Sequence, residues 1–244
     1  MQPTTIIMNE TITVIPFSRL LIIFIPSGIV SLILFSWSLN WKNSFYALSR
    51  MALQLITIGY FLSYIFNSNH SAIILLSLLS MVIMASWIAL RVIKKNRLNL
   101  FKYAFIAIVF GGGPVLFIVT QLILQLDPWY TPRFVIPLAG MIFSSAMNGV
   151  SLASERMQAE INRGINYSNA EKIAFNASLI PIINSLFAVG LVSLPGMMTG
   201  QILSGVSPLI SVRYQIMVMC MIFSSVGLSS FIFLVLVRFD NIKT

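Results

Sequence analysis

Charge is scarce in this chain. Of 244 residues only 9% are charged, while 58% are hydrophobic and the mean hydropathy is +0.93. A soluble domain carries about 25% charged and about 45–50% apolar residues. That leaves too little polar material to clothe a water-soluble globule, so most apolar side chains must face lipid or each other. Cysteine is almost absent: Cys220 stands alone in an apolar run, so disulfides play no part in folding. A single histidine, His70, excludes a multi-histidine metal centre. No G-x-x-x-x-G-K-[ST] motif occurs, so any ATP that drives this protein is hydrolysed on another chain. Acids are few, 6 against 15 bases, giving a formal charge of +9. The bases lie between hydrophobic runs rather than in one domain. This is the pattern of a polytopic membrane protein, not of a nucleic-acid binder.

What is present is a series of apolar runs of membrane-crossing length, about 20 residues each. They predict seven helices, at about 12–37, 45–66, 71–93, 103–124, 134–153, 180–203 and 214–237. The first reads as a retained span rather than a cleaved signal, because Glu10 and no basic cluster precedes it. Arg19 within it can snorkel to the interface. Seven spans leave no room for an appended soluble domain, so 1–244 is read as one all-α transmembrane domain. If the Lys94–Arg97 loop is cytoplasmic, alternation places 12 of the 15 basic residues on that side. Only Arg19, Arg133 and Arg213 fall outside. The bias predicts an N-terminus out and a C-terminus in.

No acid falls in an apolar run, although ion-coupled carriers usually place a carboxylate within the membrane. Intramembrane proteolysis lacks an activating histidine or an aspartyl pair. The one long polar stretch covers about 155–180. It reads as a helix, a break at Gly164, and a new helix capped by Ser168 or Asn169 with Glu171 in its first turn. It is either a solvated connection or a short docking element for a cytoplasmic partner, and its length favours the second. Gln54, Gln121, Asn148, Asn184, Gln201 and Gln215 lie in apolar runs and should face other helices or a cavity. Leu194-Pro195-Gly196-Met197-Met198-Thr199-Gly200-Gln201 should kink or unwind its helix at the proline. Gly196 and Gly200 form a G-x-x-x-G pair suited to close helix contact. The segment is either a packed bend or a gate and substrate site.

The run from Gly190 through Gln201, with Ser207-Pro208 and Arg213-Tyr214-Gln215-Ile216-Met217, resembles the FetB-type iron-export permease family. Gln54-Leu55, Gly59-Tyr60, Ile65-Phe66 and Val135 to Met141 extend the resemblance. These are membrane subunits of ABC transporters, related to plant aluminium-tolerance half-transporters. The resemblance implies seven spans in the plasma membrane, a homodimer, and a separate cytoplasmic ATPase that carries ATP and Mg. It makes the polar stretch the ATPase-docking loop, with Glu160, Gly164 and Pro181 matching an acid, a glycine and a proline that starts the next span. Asn169, Glu171 and Lys172 join them as coupling residues. The pathway would involve Gln54, Ser145, Asn148, Asn184, Pro195, Gly196, Met197, Met198, Thr199, Gly200 and Gln201. The chain departs from the family at Ser144-Ser145, at Asn184 and at Phe187, where some members read Gly-Asn, aspartate and lysine. No metal ligand set and no cofactor on this chain are implied. The function expected is export of iron or another metal. The alternatives are a different solute moved by the same build, or a membrane scaffold or sensor that moves nothing.

Overall fold

A computed structural model describes residues 15–66, 70–93 and 97–243. Glu10, the start of the first expected span, the turn at 67–69 and Lys94, Lys95 and Asn96 lie outside the described residues. Among the described residues the regular structure is helical, apart from one isolated bridge between Val189 and Ser193. The helices are α1 (Phe17–Leu20), α2 (Phe24–Ser36), α3 (Trp41–Phe66), α4 (Ser71–Ala89), α5 (Arg97–Phe117), α6 (Pro132–Asn162), α7 (Tyr167–Ala188), α8 (Gly196–Leu203) and α9 (Pro208–Lys243). A 3₁₀ turn joins α1 to α2, and α5 continues as a π-helical turn over Ile118–Ile123.

Among the described residues six stretches are long and apolar enough to cross a membrane: Ser18–Ser36, Trp41–Leu62, Ser71–Val92, Arg97–Ile123, Pro132–Asn162 and Pro208–Arg238. The sixth expected span, 180–203, is not one helix. Its polypeptide is divided between α7 and α8 by the irregular residues 189–195. The reason lies upstream. With 31 residues, α6 is about 46 Å long, well over the about 30 Å of a bilayer core. Its polar last turns therefore lie outside hydrocarbon, and so does the start of α7. Only the later turns of α7 remain to enter the membrane.

The chain forms two compact units, 15–66 with 203–205, and the remainder of the described residues. In the first unit the spans of α2 and α3 bury almost nothing, and Ile65 is its one buried apolar side chain among the described residues. The second unit holds the core. There α9 packs on α5, α6 and α7, while α6 also meets α4, α5 and α7. Buried Ala104, Ala107 and Ile108 of α5 and Ala139, Ile142, Ala146 and Val150 of α6 belong to one apolar core with residues of α4, α7 and α9. Small side chains let these backbones approach, which is how helices gain contact in lipid without a hydrophobic drive between them.

Glycine sets tight points where α9 packs on α5 and α6. A Cβ on Gly111 would lie 2.5 Å from the backbone nitrogen of Ser229 and 2.7 Å from its Cα. One on Gly149 would lie 2.7 Å from Ser230 Oγ and 2.9 Å from Val226 Cγ1. Neither site accepts a methyl group without movement of α9. The expected G-x-x-x-G contact is a different matter, because a Cβ on Gly196 or Gly200 would meet nothing within 4 Å. That pair does not mediate close helix packing here.

Candidate functional site

A cavity of about 400 Å³ opens between α6, α7, the irregular turn and α9. α6 supplies Ser145 and Asn148, α7 supplies Ser178, Pro181 and Ser185, and the turn supplies Ser193 and Pro195. Met219 and Val226 of α9 close the apolar side. No charged side chain lines it. Ser178 Oγ donates to the Phe175 carbonyl at 2.7 Å, and Ser185 Oγ donates to the Pro181 carbonyl at 2.9 Å. Pro181 itself lacks the N–H that would pair with the carbonyl one turn back.

Of the pathway residues expected from sequence, the structure brings together Ser145, Asn148 and Pro195. Pro181, expected in the docking loop, belongs instead to this cavity, about 21 Å along α7 from Tyr167. Asn184 is exposed on α7 beside Ser185 and does not line the cavity. Gln54 is exposed on α3 in the other compact unit. Sequence reasoning missed Ser178, Ser185 and Ser193. The signal was available, since Ser178 and Ser185 are seven residues apart and share one helical face with Pro181 between them.

The Pro195-Gly196 segment differs from the expected kink. α7 ends at Ala188, and Gly190, at φ +82°, reverses the chain. The turn satisfies its own amides. The Ala188 carbonyl accepts from Leu191 at 3.2 Å, Val192 at 2.8 Å and Ser193 at 3.2 Å, and Gly190 N–H donates to the Ser193 carbonyl at 3.0 Å. Irregular backbone is thereby tolerated without water. Pro195 precedes α8 rather than bending a helix, and its carbonyl accepts from the Thr199 N–H at 3.0 Å. Thr199 Oγ1 donates to the carbonyls of Leu194 and Pro195, both at 3.2 Å, so its hydroxyl stabilises the start of α8. Met197 lines a separate cavity of about 250 Å³ with Met141, Met217, Arg133 and Tyr214. Met198 is half-buried and lines neither cavity. Gln201 Oε1 and both amide atoms of Gln215 are buried without a hydrogen-bond partner.

The polar end of α6 and α7 is a tight helical hairpin, not a long loop. α6 ends at Asn162, Gly164 takes φ +82°, and Asn166 caps α7 by accepting from the Asn169 N–H at 2.9 Å. The cap is therefore Asn166 rather than Ser168 or Asn169, because Asn166 already has the extended backbone a cap requires. Glu171 consequently lies beyond the first turn, where it pairs with Arg238 of α9 at 3.5 Å. Glu160 is not displayed to solvent. Its side chain is 6% exposed and held by Arg156 at 2.8 Å and Arg163 at 2.9 Å. Gly164, Asn169 and Lys172 are exposed. The spacing of these arginines, four before and three after Glu160, places all three on one face.

Comparison with known proteins fits this architecture. A profile of the uncharacterised protein family UPF0014 matches residues 17–240. The chain is 36% identical to the probable iron export permease protein FetB of Escherichia coli, over 78% of this chain and 78% of that one. It is 36% identical to the UPF0014 membrane protein slr1647 of Synechocystis, over 74% and 76%. It is 34% identical to the protein ALUMINUM SENSITIVE 3 of Arabidopsis thaliana, over 76% and 72%. No solved structure matches it.

Proposed function

Since the chain belongs to the UPF0014 family of multi-pass membrane proteins, we propose that it is the permease subunit of an ABC transporter that exports iron. ATP, with Mg, is hydrolysed by a separate cytoplasmic subunit, and two permease copies work with two ATPases in the plasma membrane. One observation carries the reading: α6 and α7 form the polar hairpin and also wall the 400 Å³ cavity. A displacement imposed on the hairpin therefore reaches the cavity through two continuous helices. The exposed Gly164, Asn169 and Lys172 face the ATPase, while buried Glu160 keeps the end of α6 rigid by holding Arg156 and Arg163.

Orientation follows from charge. In the second unit Arg91, Arg97, Lys102, Arg156, Arg163, Lys172 and Arg238 lie toward the helix ends shared with this hairpin, and Arg133 and Arg213 toward the opposite ends. The positive-inside bias then puts the hairpin in the cytoplasm. In a Cys220→Ser background, Asp127→Cys should react with an impermeant thiol reagent on intact cells and Arg163→Cys should not. The reverse pattern would invert the topology. Function is tested in inside-out vesicles containing the permease with its ATPase, where ⁵⁵Fe should accumulate only with ATP and both subunits. Equal accumulation without ATP, or none with both subunits present, would remove the proposal.

A further inference from the structure

Resting on the reading that cargo crosses the cavity between α6, α7 and α9, we infer that the metal enters it as an electrically neutral complex, wrapped in its own ligands, and not as a bare cation. The first ground is charge. The polar groups on the wall are Ser145, Asn148, Ser178, Ser185 and Ser193, all neutral. The acids of the same unit whose side chains are described are placed elsewhere. Asp127 is in the turn before α6, Glu160 is held by two arginines, and Glu171 is paired with Arg238. Glu155 is exposed three residues beyond Leu152 and does not line the cavity. Among the described residues no group of three or more His, Cys, Asp and Glu side chains could hold a metal ion.

Transfer of an isolated ion to a low-dielectric interior is strongly unfavourable, and the cost grows with the square of the charge. Rings of neutral oxygens suffice for a monovalent ion such as K⁺. Iron and its neighbours instead draw on imidazole, thiolate or carboxylate ligands. This wall offers none of those. A metal that brings its own anionic ligands meets no such penalty.

Hydrogen bonding gives the second ground. The hydroxyl protons of Ser178 and Ser185 are committed to the carbonyls of Phe175 and Pro181. These two oxygens therefore offer the cavity acceptors only. A fitting cargo presents N–H or O–H groups on its outer surface. Size gives the third. A cavity of about 400 Å³ matches the volume of roughly a dozen waters at about 30 Å³ each. A bare ion would leave most of it to be filled, whereas a six-coordinate complex of small bidentate ligands matches its scale.

The test uses purified full-length permease in nanodiscs and equilibrium dialysis of ⁵⁵Fe in three forms. These are the neutral ferric tris(acetohydroxamate), whose N–H groups point outward, aqueous Fe²⁺ under anaerobic conditions, and the anionic ferric–EDTA complex. The neutral chelate should bind saturably, at one per chain, and the other two should not. Asn148→Asp places a carboxylate on the wall and should weaken chelate binding at least tenfold. Glu155→Gln should leave it within twofold, and melting temperature checks that both variants are folded. Saturable Fe²⁺ binding that Ser145→Trp abolishes, without chelate binding, would overturn the inference while leaving the cavity as the transport site. Absence of saturable binding by any of the three forms would also overturn it. The transport reading would then be judged separately by ATP-driven accumulation in vesicles.

Discussion

α6 is packed in opposite ways on its two sides. Toward α5 there is no space: a Cβ on Gly112 of α5 would lie 2.9 Å from Ile142 Cγ2 of α6, and Gly111 beside it abuts the Ser229 backbone of α9. Toward α7 and the irregular turn there is a 400 Å³ cavity, completed by Met219, Ile222 and Val226 of α9, and Gly196 and Gly200 beyond the turn have nothing within 4 Å of a Cβ. The same residue type thus does two jobs. On the seam, glycine brings two backbones together, and interiors packed to that density transmit displacement rather than absorb it. Around the turn it leaves room. A transporter needs both, a stiff body that carries motion and a wall that changes shape, and in this chain α6 takes part in both.

The largest way to break the contrast is Gly111→Val. The obstruction is backbone, so the cost should reach the upper end of the about 1–3 kcal/mol of overpacking, or exceed it. It should be read as a drop in melting temperature of the purified protein in detergent, together with reduced membrane yield. Glu160→Ala comes next. Removing the acid leaves two arginines facing each other around a buried site. Their own exposure keeps the loss to about 1–3 kcal/mol, below that of a fully buried pair. The same variant should lower transport-coupled ATPase activity, since the end of α6 is no longer held.

Gly200→Ala sharpens the comparison through its sign. With open space around it and a helical backbone, it should stabilise the protein by about 0.5–1 kcal/mol, whereas a methyl at Gly111 destabilises. The smallest effect belongs to Glu171→Gln. Its partner Arg238 is half exposed and 3.5 Å away, so the change should stay below about 1 kcal/mol and shrink further in high salt.

How much of this could be read from the residues follows the same division. Membrane class and most of the spans were legible, because apolar length and charge placement are one-dimensional properties. Of the residues expected on the pathway, Ser145, Asn148 and Pro195 line one cavity, although Pro195 was expected to kink a helix and instead precedes one. The break was misjudged in extent. Gly190 takes a positive φ and the Ala188 carbonyl gathers three amides, a local solution that no periodicity announces. Gly149 as a seam residue was invisible for a related reason: its importance comes from α9, some 80 residues later in the chain. The cap fell on Asn166 and not on the expected Ser168 or Asn169, because all three have suitable side chains and only the backbone chooses among them. Glu160 was singled out through the family resemblance. That it is buried between arginines could have been suspected from their spacing, and its being 6% exposed could not.

The central claim is that cargo passes on the cavity side of α6, and two adjacent serines test it most directly. Ser145 lines the cavity, while Ser144 is exposed on the same turn and does not. Ser145→Trp would fill much of the available volume, and Ser144→Trp would add the same side chain outside it. With both variants inserted and bound to the ATPase at parental levels, ATP-driven ⁵⁵Fe accumulation in inside-out vesicles should fall more than tenfold for Ser145→Trp and stay within twofold for Ser144→Trp. Equal rates for the two would contradict the account.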